Sequence, residues 1–265
     1  MNFVFAWFLR FSLLKSSEKG GEMKKYLGAL FVVVILVFGF TSNSFAVSVL
    51  GTSPHYSNYG YSNSDWDNMT TALDIATGNN FDLVSSFDSL PQMLTYDAIW
   101  LDARGTGDTL GTTEYNNIMA FIATGKRVVM MGENSSWTAW NQQIVGMGGG
   151  TYGGNASGNT TSVLSNELTI GAPTVYLPAA GVVASGGTAL YDLNFATLWG
   201  DNVLTVLDIN VFSDYYWNYQ YNGVVATNVA NWIAVSSQVP EPATLLLLGF
   251  GIIGLAGVRR KKLKK

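Results

Sequence analysis

The stretch YDAIWLDARGTGDTLGTTEYNNIMAFIATGKRVVMM, residues 96–131, decides the fold of this chain. It opens with the predicted strand Tyr96–Leu101, whose continuous apolar run Ala98–Leu101 is typical of a strand buried on both faces of a sheet. A helical pattern follows over Glu114–Ala123 and closes at Gly125, after which Arg127–Met131 forms the next strand. A strand–helix–strand unit with short connections predicts a right-handed crossover between parallel strands.

The same alternation of strand and helix continues on both sides of this unit. The patterns predict strands over Val47–Gly51, Phe81–Val84 and Asn202–Leu207, and helices over Trp66–Ala76 and Val224–Ala234. A series of this kind predicts an α/β domain over residues 47–238, in which helices flank a mainly parallel sheet.

A segment of different composition interrupts this series. Residues 147–161 are rich in Gly, Asn, Ser and Thr, and this composition predicts an irregular loop. Two short strands, Val175–Leu177 and Val182–Ala184, follow it. We therefore expect the sheet domain to carry a β-rich Gly/Ser/Asn insertion.

The charge of residues 47–238 limits what the domain can bind. This part of the chain has three basic side chains against 15 acidic ones, a net charge of −12. Binding to a nucleic acid backbone needs neutralising cations, so the charge argues against nucleic acid as a partner. The chain also has no cysteine, which excludes thiol nucleophiles and thiolate metal sites.

Three stretches of the core resemble a family of known fold. They are the strand ending in a carboxylate at Tyr96–Asp102, the helix, turn and strand Ile118–Gly132, and the closing strand Val203–Asp214 with the helix Asn228–Trp232. Together they resemble the class I glutamine-amidotransferase-like fold, a flavodoxin-like arrangement, in its non-catalytic branches. The resemblance implies a parallel sheet whose sites lie at the carboxyl ends of the strands.

Active members of that family use a cysteine at the turn from strand to helix, activated by a histidine and a glutamate. In this chain the corresponding residues 132–136 read GENSS and contain no cysteine. We therefore expect a domain that is not an enzyme. The alternative is an extracellular hydrolase in which Ser135 or Ser136 is the nucleophile and His55 is its base, because a serine needs such a base at neutral pH.

Two groups of acidic residues have the oxygen ligands that Ca²⁺ prefers. Asp65 and Asp67 alternate in a polar loop, and Asp208 and Asp214 follow the closing strand. Helix capping and solvated turns explain the same residues, and no twelve-residue calcium loop is present. Apart from this calcium hypothesis, we expect no cofactor and no metal.

Aromatic residues cluster after the closing strand, where a binding cleft would open. Tyr215, Tyr216 and Trp217 are consecutive there. Exposed rings in polar loops can stack on sugars, so these residues are candidates for binding polysaccharide. The competing interpretation is that they pack against the edge of the core.

The amino-terminal part of the chain has the layout of a secretory signal peptide. Residues 23–46 combine a positive start, an apolar run and small residues at Ser44 and Ala46 before a signal peptidase site. Residues 1–22 lie upstream of this signal and are interpreted as an over-extended start. A retained membrane anchor is the alternative to cleavage after Ala46.

The last 27 residues have three parts. They are the motif Val239-Pro240-Glu241-Pro242, an uncharged apolar run over residues 243–258, and a basic end over residues 259–265 that begins Arg259, Arg260, Lys261 and Lys262. At about 1.5 Å per residue the apolar run would span about 24 Å, which predicts a single transmembrane helix with its basic end in the cytoplasm.

This tail resembles the PEP-CTERM sorting signal in the order and spacing of its parts. The resemblance implies that exosortase recognises the tail after the secretion machinery has exported the chain. The protein would then be anchored transiently in the inner membrane before it reaches the cell surface or the medium. The resemblance also implies a bacterium that makes extracellular polysaccharide, and an ordinary tail anchor is the alternative to the sorting signal. For the domain we expect a non-enzymatic binding or structural role in an exopolysaccharide matrix or biofilm.

Overall fold

A computed structural model describes residues 47–53 and 59–235 of the chain. In chain order the elements are β1 (Val49–Thr52), α1 (Asp67–Thr77), β2 (Phe81–Val84), α2 (Leu90–Met93), β3 (Ala98–Leu101), α3 (Thr112–Ile122), β4 (Arg127–Met131), α4 (Thr138–Met147), β5 (Thr151–Thr161), β6 (Thr174–Ser185), β7 (Thr188–Ala189), β8 (Ala196–Trp199), β9 (Val203–Val206) and α5 (Asn222–Ile233). Two short 3-10 turns, Ser135–Trp137 and Ile209–Phe212, precede α4 and follow β9.

Seven of these strands form one sheet in the order β2-β1-β3-β4-β9-β8-β7. The strands from β2 to β9 in this order run parallel, and β8 and β7 are antiparallel to their neighbours. The expected α/β fold with a mainly parallel sheet is therefore confirmed. The chain order reverses between β1 and β3, and in such sheets sites lie outside the carboxyl ends of the strands at this point.

The central strands are buried on both faces, as the run Tyr96–Leu101 predicts. Trp100 of β3 packs with Met69 of α1 and Val229 of α5 on one face. Its neighbour Ile99 packs with Ile118 of α3 on the other face, together with side chains of α4. Helices on both faces leave the ends of the strands as the places where polar groups gather.

The insertion is more regular than its composition indicates. Residues 151–161, predicted as an irregular loop, form the strand β5, and the two short strands predicted after it are parts of one strand, β6. β5 and β6 pair antiparallel in a separate two-stranded sheet with register shifts near Tyr152 and Ala156. The loop prediction was wrong because β6 pairing, and not the intrinsic preference of Gly, Asn, Ser and Thr, decides the conformation of β5.

The hairpin of β5 and β6 lies against the carboxyl ends of β4 and β9. The Gly181 amide of β6 donates to the Leu207 carbonyl at 2.7 Å. A Cβ atom at Gly181 would lie 2.6 Å from the Glu133 carbonyl oxygen, so only glycine permits this approach. The insertion therefore covers the carboxyl ends of β4 and β9.

Several sequence predictions fall on parts of the chain outside the described residues. These are the over-extended start 1–22, the signal peptide 23–46 with Ser44 and Ala46, and the sorting tail 239–265. None of the helices within residues 47–53 and 59–235 is long and apolar enough to cross a bilayer.

Two glycine substitutions test how the hairpin is held. Gly181→Ala should lower the free energy of unfolding by about 1–3 kcal/mol, because the new methyl group meets backbone that cannot move aside. Gly146→Ala, at an exposed position of α4, should raise it by about 0.5–1 kcal/mol, because no atom lies within 4 Å of the new Cβ. Urea unfolding measures both; equal effects of the two variants would contradict the close approach.

Candidate functional site

Three carboxylates follow three neighbouring strands at the carboxyl edge of the sheet. Asp102 follows β3, Glu133 follows β4 and Asp208 follows β9, and all three side chains are buried. Perturbed carboxylates at such an edge are the usual starting point in a search for a site. Asp102 and Glu133 were not predicted as site residues, although a carboxylate directly after an apolar strand is a signal that the sequence offers.

Asp102 is enclosed at the end of β3. Its Oδ1 accepts a hydrogen bond from Trp100 Nε1 at 2.8 Å, and its amide donates to Thr52 Oγ1 at 3.0 Å. No donor among the residues that the structure describes reaches its Oδ2. Burial raises the pKa of Asp102 from 3.8 to about 7, although the Trp100 hydrogen bond lowers it.

Glu133 ties the end of β4 to the turn that follows β9. Its Oε1 accepts from the Asn134 amide and side chain at 3.1 and 3.0 Å. Its Oε2 accepts from the Ile209 amide and from Asn210 Nδ2, both at 3.2 Å. Burial, and then the nearby Asp208, raise the pKa of Glu133, and burial raises that of Asp208. The Glu133 side chain therefore links the end of β4 to the turn after β9, which is distant in sequence.

The turn that would carry a nucleophile is bonded to the hairpin. Asn155 of β5 accepts from the Ser135 amide at 2.5 Å and donates to Ser135 Oγ at 2.8 Å. Asn134, and not a serine, caps the turn, because its Oδ1 accepts from the Ser136 amide at 2.9 Å. His55 lies outside the described residues, so its pairing with Ser135 or Ser136 stays a prediction.

The acidic residues of the calcium hypothesis have separate structural roles. Asp214 accepts from the amides of Asp67 and Asn68 at 3.1 and 2.9 Å, and thereby caps the start of α1. The Asp214 amide in turn donates to the Asp65 carbonyl, whereas Asp208 is buried and caps the turn Ile209–Phe212. Over residues 47–53 and 59–235, no three acidic or histidine side chains are placed to hold a metal ion.

The candidate aromatic residues divide between the surface and the core. Tyr215 is 73% exposed, whereas Trp217 is half-buried and packs against the core and over Gly223. Tyr215 and Tyr216 belong to a group that we call the tyrosine cluster, whose rings lie 4.7–6.1 Å apart between centroids. Its members are Tyr176, Tyr215, Tyr216 and Tyr219. Tyr176 comes from β6, so sequence order could not reveal it.

The same loop also borders a groove. It has a volume of about 430 Å³ and lies between the loop and the first turns of α5. We call it the amide groove, because its lining includes Trp217, Asn218, Gln220, Tyr221, Thr227 and Asn228. An aromatic ring beside amide and hydroxyl groups suits a ligand that has both apolar faces and hydroxyl groups.

The buried carboxylates make stability depend on pH. An acid whose pKa is higher in the folded chain binds its proton more tightly there, so its contribution is present at low pH and is lost as the pH rises through the folded pKa. We expect the free energy of unfolding to fall between about pH 4 and pH 8, at about 1.4 kcal/mol per unit of pKa shift. Asp102→Asn should flatten this dependence, measured by thermal unfolding across the range.

Asp201→Asn is the matched control, since it removes one negative charge from an exposed position. Its pH profile should keep the shape of the original. An Asp102→Asn profile that also keeps that shape would contradict the raised pKa.

A second substitution separates helix capping from calcium binding. Asp214→Ala should lower stability by about 1 kcal/mol, because two amides at the start of α1 lose their acceptor. The loss should be the same in calcium chloride and in a chelator, as measured by thermal unfolding. A stabilisation by calcium that disappears in the variant would instead support the metal hypothesis.

Comparison with known proteins gives one finding for the carboxyl-terminal tail and one for the core. The family described as the PEP-CTERM protein-sorting motif matches residues 238–261. No curated protein matches the sequence.

Solved structures resemble the core at low sequence identity. The structure titled "mmIFT52 N-terminal domain" aligns with a TM-score of 0.58 and 12% identity, over 69% of this chain and 99% of that chain. A putative ThuA-like protein from Bacteroides uniformis aligns at 0.50 and 11%, over 72% and 93%. A putative GMP synthase protein from Thermoplasma acidophilum aligns at 0.47 and 10%, over 71% and 92%. The chain therefore carries a PEP-CTERM sorting motif at its C-terminus, and its core is similar in fold to the mmIFT52 N-terminal domain and to the putative ThuA-like protein.

Proposed function

We propose that this chain is an exported surface or matrix protein that exosortase sorts through its tail, and that its domain acts by binding or as a structural part and not by catalysis. The observation that carries the proposal is the sorting motif over residues 238–261. Such motifs mark proteins that are exported and sorted to the cell surface. An exopolysaccharide matrix or biofilm is the setting in which we place the domain.

The layout of the chain supports delivery by this route. The described domain ends at Val235, and three residues separate it from Val239 at the start of the motif. The predicted signal peptide 23–46 supplies export through signal peptidase and the secretion machinery. The predicted transmembrane run 243–258 supplies a transient hold in the inner membrane, from which exosortase would release the domain.

The covered sheet edge supports a role without catalysis. The hairpin of β5 and β6 lies over the carboxyl ends of β4 and β9, where the fold family places its sites. Ser135 donates its amide to Asn155 Oδ1 and accepts from Asn155 Nδ2 through Oγ, and both carboxylate oxygens of Glu133 accept hydrogen bonds. Side chains held in this way are poorly available for proton transfer to a substrate.

The alternative function is a hydrolase that uses Ser135 or Ser136 with His55. The exposure of both serines at the turn after β4 is the observation in its favour. The alternative also needs His55 within about 3 Å of a serine hydroxyl.

Intact mass of the protein from a host with exosortase tests the sorting proposal. A species that begins at Val47 and ends near Pro240–Pro242 should appear at the surface or in the medium, because exosortase processes the tail there. It should be absent from a strain that lacks exosortase and from the motif variant Glu241→Ala. Asp201→Ala, which removes an exposed carboxylate outside the motif, should be processed like the original chain.

Full-length protein that keeps residues 243–265 in both strains would contradict sorting and leave an ordinary tail anchor. The non-catalytic part of the proposal is read out separately with a fluorophosphonate probe for active serines. The original chain should not react with it. Labelling that disappears in Ser135→Ala or Ser136→Ala would favour the hydrolase.

A further inference from the structure

The tyrosine cluster combines ring exposure with fixed positions. Tyr215 is 73% and Tyr219 43% exposed, and the planes of their rings are within 25° of parallel. Tyr176, from the hairpin, lies 5.4 Å from Tyr219 between ring centroids and supports it from beneath the loop. The exposed rings are thus already restrained by their neighbours. A ligand that stacks on them therefore costs little side-chain entropy.

The loop that carries these rings is held at both ends. At its start, Asp214 bonds to the first amides of α1. At its end, the Asn222 side chain accepts from the Tyr176 amide at 2.9 Å and donates to the Tyr176 carbonyl at 3.0 Å. The Tyr221 amide also donates to the Thr174 carbonyl. A surface built in this way exists before any ligand arrives, which lowers the cost of binding.

The amide groove adds polar groups to the same loop. Asn218 and Gln220 are exposed, and Thr227 is exposed on the adjoining turn of α5. Asn228 donates through Nδ2 to the carbonyls of Leu168 and Ile170, which leaves its Oδ1 as an acceptor in the groove. Neutral donors and acceptors of this kind match hydroxyl groups.

The charge of this face selects the kind of ligand. No charged residue occurs in residues 215–240 or in residues 168–191, although the exported region 47–238 has a net charge of −12. No cation is therefore available in these segments to bind an acidic polymer, while the acidic remainder of the domain would repel one. A ligand without charge can approach the loop without an electrostatic penalty.

The position of the face fits a tethered protein. The loop precedes α5, and the sorting tail follows the other end of this 12-residue helix, about 18 Å away at 1.5 Å per residue. There Arg127 lies over the Trp232 ring at 4.6 Å and donates to the Trp232 carbonyl, which holds the last turn of α5. The loop with the tyrosine cluster consequently lies at the opposite end of α5 from the residues that lead into the tail.

From these observations we propose that the tyrosine cluster and the amide groove form one binding face for an uncharged polysaccharide chain. Sugar rings stack on Tyr215 and Tyr219, and sugar hydroxyls bond to Asn218 and Asn228. This inference rests on the proposed function, because it names the ligand class of a domain placed in a polysaccharide matrix.

Affinity electrophoresis of the full chain in phospholipid nanodiscs tests the inference without any need for exosortase. Gels contain dextran, a β-1,4-glucan or a soluble N-acetylglucosamine polymer as neutral probes, and polyuronate as the acidic probe. At least one neutral probe should retard the chain, and polyuronate should not. Tyr215→Ala with Tyr219→Ala should weaken the retardation about tenfold or more, because both stacking rings are lost.

Two control variants distinguish the loss of the stacking rings from the loss of a hydroxyl group or of any exposed apolar side chain. Tyr215→Phe keeps the ring and should keep most of the affinity. Ile75→Ala removes an apolar side chain that is 78% exposed on α1, away from the loop, and should bind like the original chain. Circular dichroism verifies that each variant is folded.

Absence of retardation by all three neutral probes, or equal retardation of the double tyrosine variant, would overturn the inference. Stronger retardation by polyuronate than by the neutral probes would overturn the charge argument. Either result leaves the sorting proposal intact, because intact mass of the processed tail measures that proposal independently.

Discussion

The burial of the parallel sheet on both faces is the constraint on which the other features depend. Neighbouring residues of β3, Ile99 and Trp100, enter different core clusters on opposite faces, and helices must therefore cover both sides. Once the faces are closed, only the ends of the strands can take polar side chains. This explains why Asp102, Glu133 and Asp208 gather at the carboxyl edge, each within two residues of the end of an apolar strand.

The insertion lies over part of the edge at which the carboxylates gather. Buried polar groups need hydrogen-bond partners, and the hairpin supplies one of them, because the Ala179 amide of β6 donates to Asp208 Oδ2. Asn155 bonds to the turn after β4, and Gly181 permits the backbone of β6 to touch that turn. The hairpin thereby occupies the place where related folds open a site. The same contacts hold the hairpin over the ends of β4 and β9.

The exposed aromatic rings and amide groups that could bind a ligand lie in the loop between β9 and α5. Hydrogen bonds hold this loop at both ends: Asp214 caps α1, and Asn222 bonds to β6. Its rings stand at one end of α5 and the sorting tail follows the other end. The uncharged aromatic surface and the residues that lead into the tail are therefore at opposite ends of α5.

The sequence by itself determined the alternation of strands and helices, the two-sided burial of β3, the acidity of the domain and the sorting tail. These properties are readable because they depend on local periodicity, composition and short motifs. The sequence did not determine that residues 151–161 form a strand, that Glu133 bonds to a residue 76 positions later, or that Tyr176 joins Tyr215 and Tyr219. Only the tertiary structure decided these points, because the path of the chain sets which distant segments meet, and close approach at a residue such as Gly181 leaves no local pattern.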